Sequence, residues 1–188
     1  MQKYMAALTF LLLIGLVVTR LQLLKRKGIQ AMQFGKLDKK DYLIPPFALF
    51  YFYLVLAHAF KWPTPATRQL VYSSGLGWLG VILCLVGLLL LAWSLLSFGQ
   101  SFRVGIDTEH PDKLVTSGAF AFSRNPIYTA FAFILLGEFL IFPNWVPLLY
   151  LVAAVWLFHR QVLREEEYMK EHYGADYAEY CRKVRRYL

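Results

Sequence analysis

The chain has 188 residues, of which 58% are hydrophobic and only 17% are charged, with a mean hydropathy of +0.45. Soluble domains contain about 45–50% apolar and about 25% charged residues, so this composition argues against a soluble enzyme, a disordered chain and a disulfide-stapled secreted domain. The net charge of +8 favours nucleic acid only if the protein is soluble, so the distribution of the charges decides its meaning. Cys84 and Cys181 have no metal-ligand spacing and form no disulfide framework, so no metal is expected.

Five apolar segments approach or exceed the roughly 20 residues that a helix needs to cross the bilayer core. They are Met5–Thr19, which extends to Leu24 if Arg20 snorkels, then Tyr42–Phe60, Leu70–Phe98, Ile127–Phe142, and Trp145 to about Leu163. Only Pro143 and Asn144 separate the last two segments, which predicts a tight helical hairpin. A signal peptide is the alternative for the first segment, but Leu16–Arg20 has no small-x-small cleavage pattern, so we expect an uncleaved helix.

The lysine and arginine residues predict the orientation of these segments. Seven follow the first segment, three lie between Gly99 and Pro126, and seven lie from Arg160 onward, whereas only Lys3, Lys61 and Arg68 lie on the other side. An excess of 17 against 3 places the N-terminus outside and the C-terminus in the cytoplasm. The excess of basic residues therefore reflects the orientation of the chain in the membrane, and no nucleic-acid partner is expected.

The sequence thus predicts an all-α integral membrane bundle of five transmembrane helices plus a cytoplasmic interfacial C-terminal helix. The tail Glu165–Leu188 alternates charged residues with tyrosines, which is typical of an interfacial helix, and Gly174 is expected to break it. The bundle is a single domain over residues 1–188. Residues 1–98 supply three helices, and residues 99–188 supply a loop, the hairpin and the tail.

Three features within the spans have more than one interpretation. Gly75, Gly77 and Gly80 have the spacing of a dinucleotide fingerprint, but no strand precedes them, so close helix packing is favoured. Glu138 is the only acidic residue in a span and should face the bundle, either hydrogen-bonded to a neighbouring helix or lining a substrate cavity. His159 closes the fifth span, where snorkelling is favoured over a role in a site.

Two polar segments at the cytoplasmic ends of the hairpin are the candidate site. Arg124 precedes Pro126, which suits a first helical turn, and the free N–H groups of that turn together with Arg124 can hold a carboxylate or phosphate. Glu165 and Glu166 follow the fifth span, so the hairpin brings them close to Arg124. A solvated charge run that anchors the helix is the alternative, although acidic residues are unusual anchors at a lipid surface.

The order and spacing of these residues resemble the isoprenylcysteine carboxyl methyltransferase and phospholipid methyltransferase superfamily. The resemblance covers residues from about 100 to about 180 and consists of two groups on either side of the hairpin. The first group is Leu114, Val115, Gly118, Phe120, Arg124, Pro126 and Tyr128, and the second is Glu165, Glu166, Met169, Tyr173, Gly174, Tyr177 and Tyr180. The chain departs from the family at Asn125 and at Asp112-Lys113, where histidines are common, and these departures bear on the acceptor more than on the cofactor.

The resemblance implies a multi-pass bundle that binds S-adenosylmethionine at its cytoplasmic side and methylates a carboxylate or amine of a lipid or lipid-anchored acceptor. It implies that Leu114, Val115, Gly118, Phe120, Arg124, Pro126, Tyr128, Glu165 and Glu166 bind the cofactor, and that Arg124, Asn125 and Tyr128 are catalytic. A glutamate suits the cofactor ammonium, Arg124 suits its carboxylate, and an aromatic ring suits its sulfonium or adenine. An amine acceptor must lose a proton, for which Asp112, Asn125 and His159 are the candidate bases.

Two other functions remain open from the sequence. One is an NADPH-dependent membrane reductase of the sterol-reductase type, whose C-terminal motif is related, and the other is a non-enzymatic membrane scaffold. The loop before the fourth span lacks an additional basic cluster for the 2′-phosphate of NADPH, which favours the methyltransferase.

Overall fold

A computed structural model describes residues 1–26, 44–63, 69–99 and 114–188, and these residues contain helices and no strand. The helices are α1 (Gln2–Arg26), α2 (Ile44–Phe60), α3 (Ser74–Phe98), α4 (Pro126–Ile141) and α5 (Trp145–Lys183), with a short 3-10 helix at Gly118–Ala121. The all-α prediction is therefore confirmed for the described ranges. The predicted start of the second span at Tyr42 lies outside them, as do Asp112 and Lys113.

Within those ranges, three helices are long and apolar enough to cross a membrane, namely α1, α3 and α5. The helices α2 and α4 are apolar but shorter, with 17 and 16 residues. The described residues thus contain three helices of spanning length, and five crossings remain a prediction.

The start of α3 differs from the prediction and follows from a helix cap. The helix begins at Ser74 because Ser73 is extended and its hydroxyl accepts the N–H of Leu76, as an N-cap side chain does. Leu70, the predicted first residue, instead donates its N–H to the carbonyl of Pro143 at 2.8 Å. A prediction from hydrophobicity alone starts the helix too early, in a segment that hydrogen-bonds to the α4–α5 connection.

The connection between α4 and α5 confirms the predicted tight hairpin. The helix α4 ends at Ile141 and α5 begins at Trp145. The side chain of Asn144 accepts the N–H of Val146 at 2.9 Å and caps α5. The other ends of the two helices, which are polar, therefore lie next to each other.

Glycine residues let α3 and α4 approach each other closely. A Cβ atom on Gly80 would lie 2.5 Å from the carbonyl oxygen of Gly137, and a Cβ atom on Gly137 would lie equally close to the carbonyl oxygen of Gly80. Gly87 lies against the carbonyl of Ala130 in the same manner. Gly80 therefore serves helix packing, as the sequence favoured.

Replacing Gly80 with alanine is expected to lower the free energy of unfolding by about 1–3 kcal/mol, the usual cost of overpacking, because the opposing atom belongs to the main chain. Gly15→Ala is the matched control, since a Cβ atom at Gly15 meets nothing within 4 Å. Thermal unfolding of both variants in detergent measures the difference. A Gly80→Ala variant as stable as Gly15→Ala would contradict the close contact.

Two buried clusters show the relative directions of the helices. Leu24, Leu91, Leu95 and Ala130 form one cluster, and Ala6, Cys84 and Ile141 form the other. The helix α1 therefore runs parallel to α3 and antiparallel to α4. Glu138 lies near the second cluster, is buried, and accepts a hydrogen bond from the Cys84 thiol at 3.9 Å. The expected inward orientation of Glu138 is confirmed, and the contact supports a hydrogen bond to a neighbouring helix.

The helix α5 extends past the predicted end of its span at Leu163 without interruption. Its break is at Gly174, where φ is +49° and ψ is −115°, a conformation that only glycine adopts readily. The predicted break is confirmed, but the tail is not separated from the fifth span at Glu165, because helical geometry continues from Leu163 through Glu165. After Gly174 the chain turns back, so that Arg186 lies beside Glu166.

Candidate functional site

The 3-10 helix ties the loop before α4 to its surroundings. Gly118 has φ of +63°, and a Cβ atom there would collide with the hydroxyl of Ser97 on α3. That hydroxyl accepts the N–H of Ala119 at 3.0 Å. The carbonyl of Phe120 accepts the Tyr180 hydroxyl at 2.6 Å. Gly118 and Phe120 therefore position the loop between α3 and the last part of α5.

Arg124 and Glu166 form a buried ion pair at the open end of the hairpin. The Nη2 and Nε atoms of Arg124 lie 2.9 and 3.2 Å from Oε1 of Glu166. The two side chains are only 11% and 5% exposed. The proximity that the hairpin topology predicts is thus observed, with Arg124 and Glu166 paired to each other.

Arg186 is a second cation on the same carboxylate, and it was not predicted from the sequence. Its Nε and Nη2 atoms donate to Oε2 of Glu166 at 3.1 and 2.9 Å. Glu166 is therefore held between two guanidinium groups. The tail contains many basic residues, so charge pattern alone could not distinguish Arg186 from its neighbours.

The C-terminal segment occupies the remaining donors of Arg124. The Nη1 atom donates to the carbonyl of Val184 at 2.8 Å and to that of Cys181 at 3.4 Å. The main-chain N–H of Arg124 donates to the carbonyl of Arg185 at 2.9 Å. Arg124 therefore fastens the returning tail to the start of α4.

Asn125 and Ser123 strengthen this attachment. The Nδ2 atom of Asn125 donates to Oε1 of Glu166 at 3.3 Å and to the carbonyl of Arg186 at 3.2 Å. The Ser123 hydroxyl accepts the N–H of Asn125 and donates to the same Arg186 carbonyl. Pro126 is buried in the first turn of α4, where its missing N–H costs nothing. The Asn125 amide acts as a donor in these contacts.

Glu165 has different partners from Glu166. The Tyr128 hydroxyl and the Nε2 atom of Gln161 donate to Oε1 of Glu165 at 2.6 and 3.0 Å. The ring of Tyr128 packs at 5.6 Å from that of Phe158 on α5. Both hydrogen bonds that Glu165 accepts from described side chains end on Oε1.

The two glutamates also differ electrostatically. Burial raises the pKa of Glu165, and the hydrogen bonds from Tyr128 and Gln161 offset only part of this effect. Burial also acts to raise the pKa of Glu166, but the hydrogen bonds and charges of Arg186 and Arg124 outweigh it and hold that pKa below its ordinary value. Glu166 therefore stays ionised at lower pH than an exposed glutamate.

The cluster around Glu166 is expected to lose stability in acid. Because the folded-state pKa of Glu166 is lowered, its ionisation stabilises the fold above the unfolded pKa of about 4.3, and this contribution disappears as the pH falls through the lowered folded value. Melting temperatures between pH 7 and pH 3 measure the effect. Glu166→Gln should melt lower at neutral pH and fall less steeply in acid, and a slope like that of the unmodified chain would argue against the assignment.

The other candidate residues lie around this cluster. Leu114 and Val115 are half-buried just before the 3-10 helix, and Phe122 is exposed beside Trp93, with 5.5 Å between their rings. The Nδ1 atom of His159 hydrogen-bonds the Tyr187 hydroxyl at 2.8 Å. Neither Tyr187 nor Arg186 was predicted from the sequence, because both reach the site only through the turn at Gly174.

These helices and this cluster define a helical membrane protein with a polar, doubly ion-paired site at one end of its α4–α5 hairpin. The phospholipid methyltransferase family model matches residues 76–176, which is more than half of the chain and includes the hairpin. The chain belongs to this family, as its motifs predicted.

Known relatives agree with this membership. Protein-S-isoprenylcysteine O-methyltransferase B of Arabidopsis thaliana is 29% identical over 108 residues, which cover 56% of this chain and 55% of the relative. The Xenopus laevis protein-S-isoprenylcysteine O-methyltransferase is 30% identical over 123 residues, covering 64% and 42%. The Saccharomyces cerevisiae enzyme of the same name is 31% identical over 109 residues, covering 56% and 46%. The chain thus spans about half the length of these relatives.

Proposed function

We propose that this chain transfers a methyl group from S-adenosylmethionine to a lipid or lipid-anchored acceptor at the cytoplasmic face of a membrane. One observation carries the proposal: the hairpin brings two hydrogen-bonded pairs, Arg124–Glu166 and Tyr128–Glu165, together at its open end. The names of the relatives, which specify O-methyl transfer to isoprenylcysteine, support the reaction class. Five crossings with the C-terminus in the cytoplasm are part of the proposal.

The residues of the cluster suit the charged parts of the cofactor. Glu165 suits the ammonium group, because the hydrogen bonds it accepts from described side chains end on Oε1 and charge-assisted hydrogen bonds are strong. Arg124 suits the carboxylate, whose oxygen atoms would replace the Val184 carbonyl as acceptors at Nη1. Glu166 then keeps Arg124 in place, and Tyr128 or Phe120 offers an aromatic ring for the sulfonium or adenine.

S-adenosylmethionine supplies an already activated methyl group. The protein therefore mainly has to bind the cofactor and the acceptor, align them with each other, and exclude water. A carboxylate acceptor can react as it is, whereas an amine acceptor must first lose a proton. Within the described cluster, Asn125 is an amide donor, and the Nδ1 atom of His159 is engaged by Tyr187. This arrangement favours a carboxylate acceptor.

The surface of α5 supports an acceptor that arrives from the bilayer. An open apolar groove is lined by Leu151, Val152, Val155, Trp156 and His159. Its His159 end lies beside Tyr187, in the segment that contacts Arg124 and Glu166. An alkyl or isoprenoid chain in this groove would bring its polar end toward the cluster.

Calorimetry on the detergent-solubilised chain tests the proposal directly. We expect S-adenosylhomocysteine to bind and NADPH not to bind. Binding of NADPH alone would indicate a reductase, and binding of neither compound would indicate a scaffold. Mass spectrometry of lipids incubated with the protein and S-adenosylmethionine would then identify the acceptor by its gain of one methyl group.

A further inference from the structure

Arg20 is a charged residue within the apolar part of α1, and no described residue pairs with the Nε or Nη2 atom of its guanidinium. The Nε and Nη2 atoms are buried and have no hydrogen-bond partner in the described part of the chain. Buried donors without a partner are rare in folded proteins. Placing an unpaired cation in an apolar environment costs roughly several kcal/mol. Such a residue therefore indicates a missing anion.

The position of Arg20 on α1 directs it to the bundle. Arg20 lies one turn after Leu16 and one turn before Leu24, which places the three residues on the same face of the helix. Leu24 is buried against Leu91 and Ala130, and Leu16 packs against the same cluster. The guanidinium therefore lies beside α3 and α4, among leucine side chains.

The two buried acidic residues, Glu138 and Glu166, do not pair with Arg20. Glu138 bonds Cys84, which packs against Ala6 at the other end of α1, and fourteen residues of helix rise about 21 Å. Glu166 is already held between two guanidinium groups. Neither buried carboxylate is therefore the partner of Arg20, which points to a bound molecule as the source of the anion.

We propose that Arg20 binds the oxyanion head, a carboxylate or a phosphate, of an amphiphile whose alkyl chain lies against α1, α3 and α4. The planar guanidinium matches the two oxygen atoms of such a group. Arg20 lies about 9 Å along the helix axis from Arg26, the last residue of α1. The residue as a whole is only half-buried, which lets a headgroup reach it from outside the bundle.

This site is separate from the proposed methyl-transfer site. It involves the faces of α3 and α4 that contact α1, whereas Tyr128 turns toward Phe158 and Glu165 on α5. The inference therefore does not depend on the proposed reaction, and either proposal can fail without the other.

Titration of the purified chain with dodecyl phosphate in a nonionic detergent, followed by native mass spectrometry, tests the site. We expect the unmodified chain to bind one equivalent. Arg20→Met should bind dodecyl phosphate at least tenfold more weakly, and Arg20→Lys should recover part of the affinity. Arg26→Met is the matched control, because Arg26 is exposed on the same helix and its loss should leave binding unchanged. Inorganic phosphate at the same concentration should not bind, since it lacks the alkyl chain.

Equal binding to the unmodified chain and to Arg20→Met would overturn the proposal, as would inorganic phosphate binding as tightly as dodecyl phosphate. A second measurement uses only the unmodified chain, so it tests the proposal even if Arg20→Met does not fold. Dodecyl phosphate should raise the melting temperature more than dodecanol does, because only the phosphate pairs with the guanidinium. The same melting temperature with both additives would also overturn the proposal.

Discussion

Replacing Glu166 with alanine is expected to lower the free energy of unfolding by about 3–5 kcal/mol, the usual cost of removing one partner of a buried ion pair. The variant leaves Arg124 and Arg186 facing each other without an anion. Arg124 is 11% exposed and Arg186 is 37% exposed, so most of the cost comes from the less hydrated Arg124. Chemical or thermal unfolding in detergent measures the loss.

The chain offers a matched control for this prediction. Glu179 pairs with Lys183 one turn away, but both side chains are largely exposed, at 56% and 69%, and such surface pairs contribute little. Glu179→Ala should therefore melt like the unmodified chain. A double-mutant cycle of Glu166→Ala with Arg124→Ala should be strongly non-additive, since each single change leaves the other charge unpaired. If Glu166→Ala resembled Glu179→Ala, the ion-paired cluster would not be a stabilising element.

Replacing Glu165 with glutamine is expected to weaken S-adenosylhomocysteine binding roughly 10- to 100-fold, because a charge-assisted hydrogen bond to the ammonium group is lost. The fold should hardly change, since the glutamine carbonyl can still accept the hydrogen bonds from Tyr128 and Gln161. Isothermal calorimetry measures the affinity, and the melting temperature serves as the measure of folding.

Glu167→Gln is the control for charge at this end of α5, because Glu167 is exposed next to the cluster and should bind the ligand normally. Arg124→Lys keeps a positive charge but loses the planar fork, so it should also bind the ligand more weakly. Full affinity in Glu165→Gln would refute the role of Glu165 at the ammonium group. Full affinity in both Glu165→Gln and Arg124→Lys would place the cofactor outside this cluster.

The parts of the site that depend on the hairpin were predictable from the sequence. Long apolar runs set the helices, and the short connection at Pro143 and Asn144 places their other ends together, which brings Arg124 to Glu166. These relations need only helix length and chain connectivity. Once the position of the turn is known, it determines which residues of the two helices lie opposite each other.

The parts that depend on the returning tail were not predictable. Gly174 marks a break, but its direction follows from a positive φ that the sequence does not specify. The contact of Arg124 with Val184 joins residues 60 positions apart, and the pairing of Arg186 depends on it. Long-range contacts of this kind arise from packing in three dimensions, not from local patterns of residues.

The turn at Gly174 has a practical consequence for anyone who expresses this protein with a reporter. A fluorescent protein or affinity tag joined after Leu188 would begin two residues beyond Tyr187, whose hydroxyl bonds His159, and three beyond Arg186. Its bulk and motion would pull on the segment that holds Glu166 and Arg124. A tag ahead of the exposed Met1 would lie at the opposite end of the helices, beside Ala6 and Ile141, and would leave the cluster undisturbed.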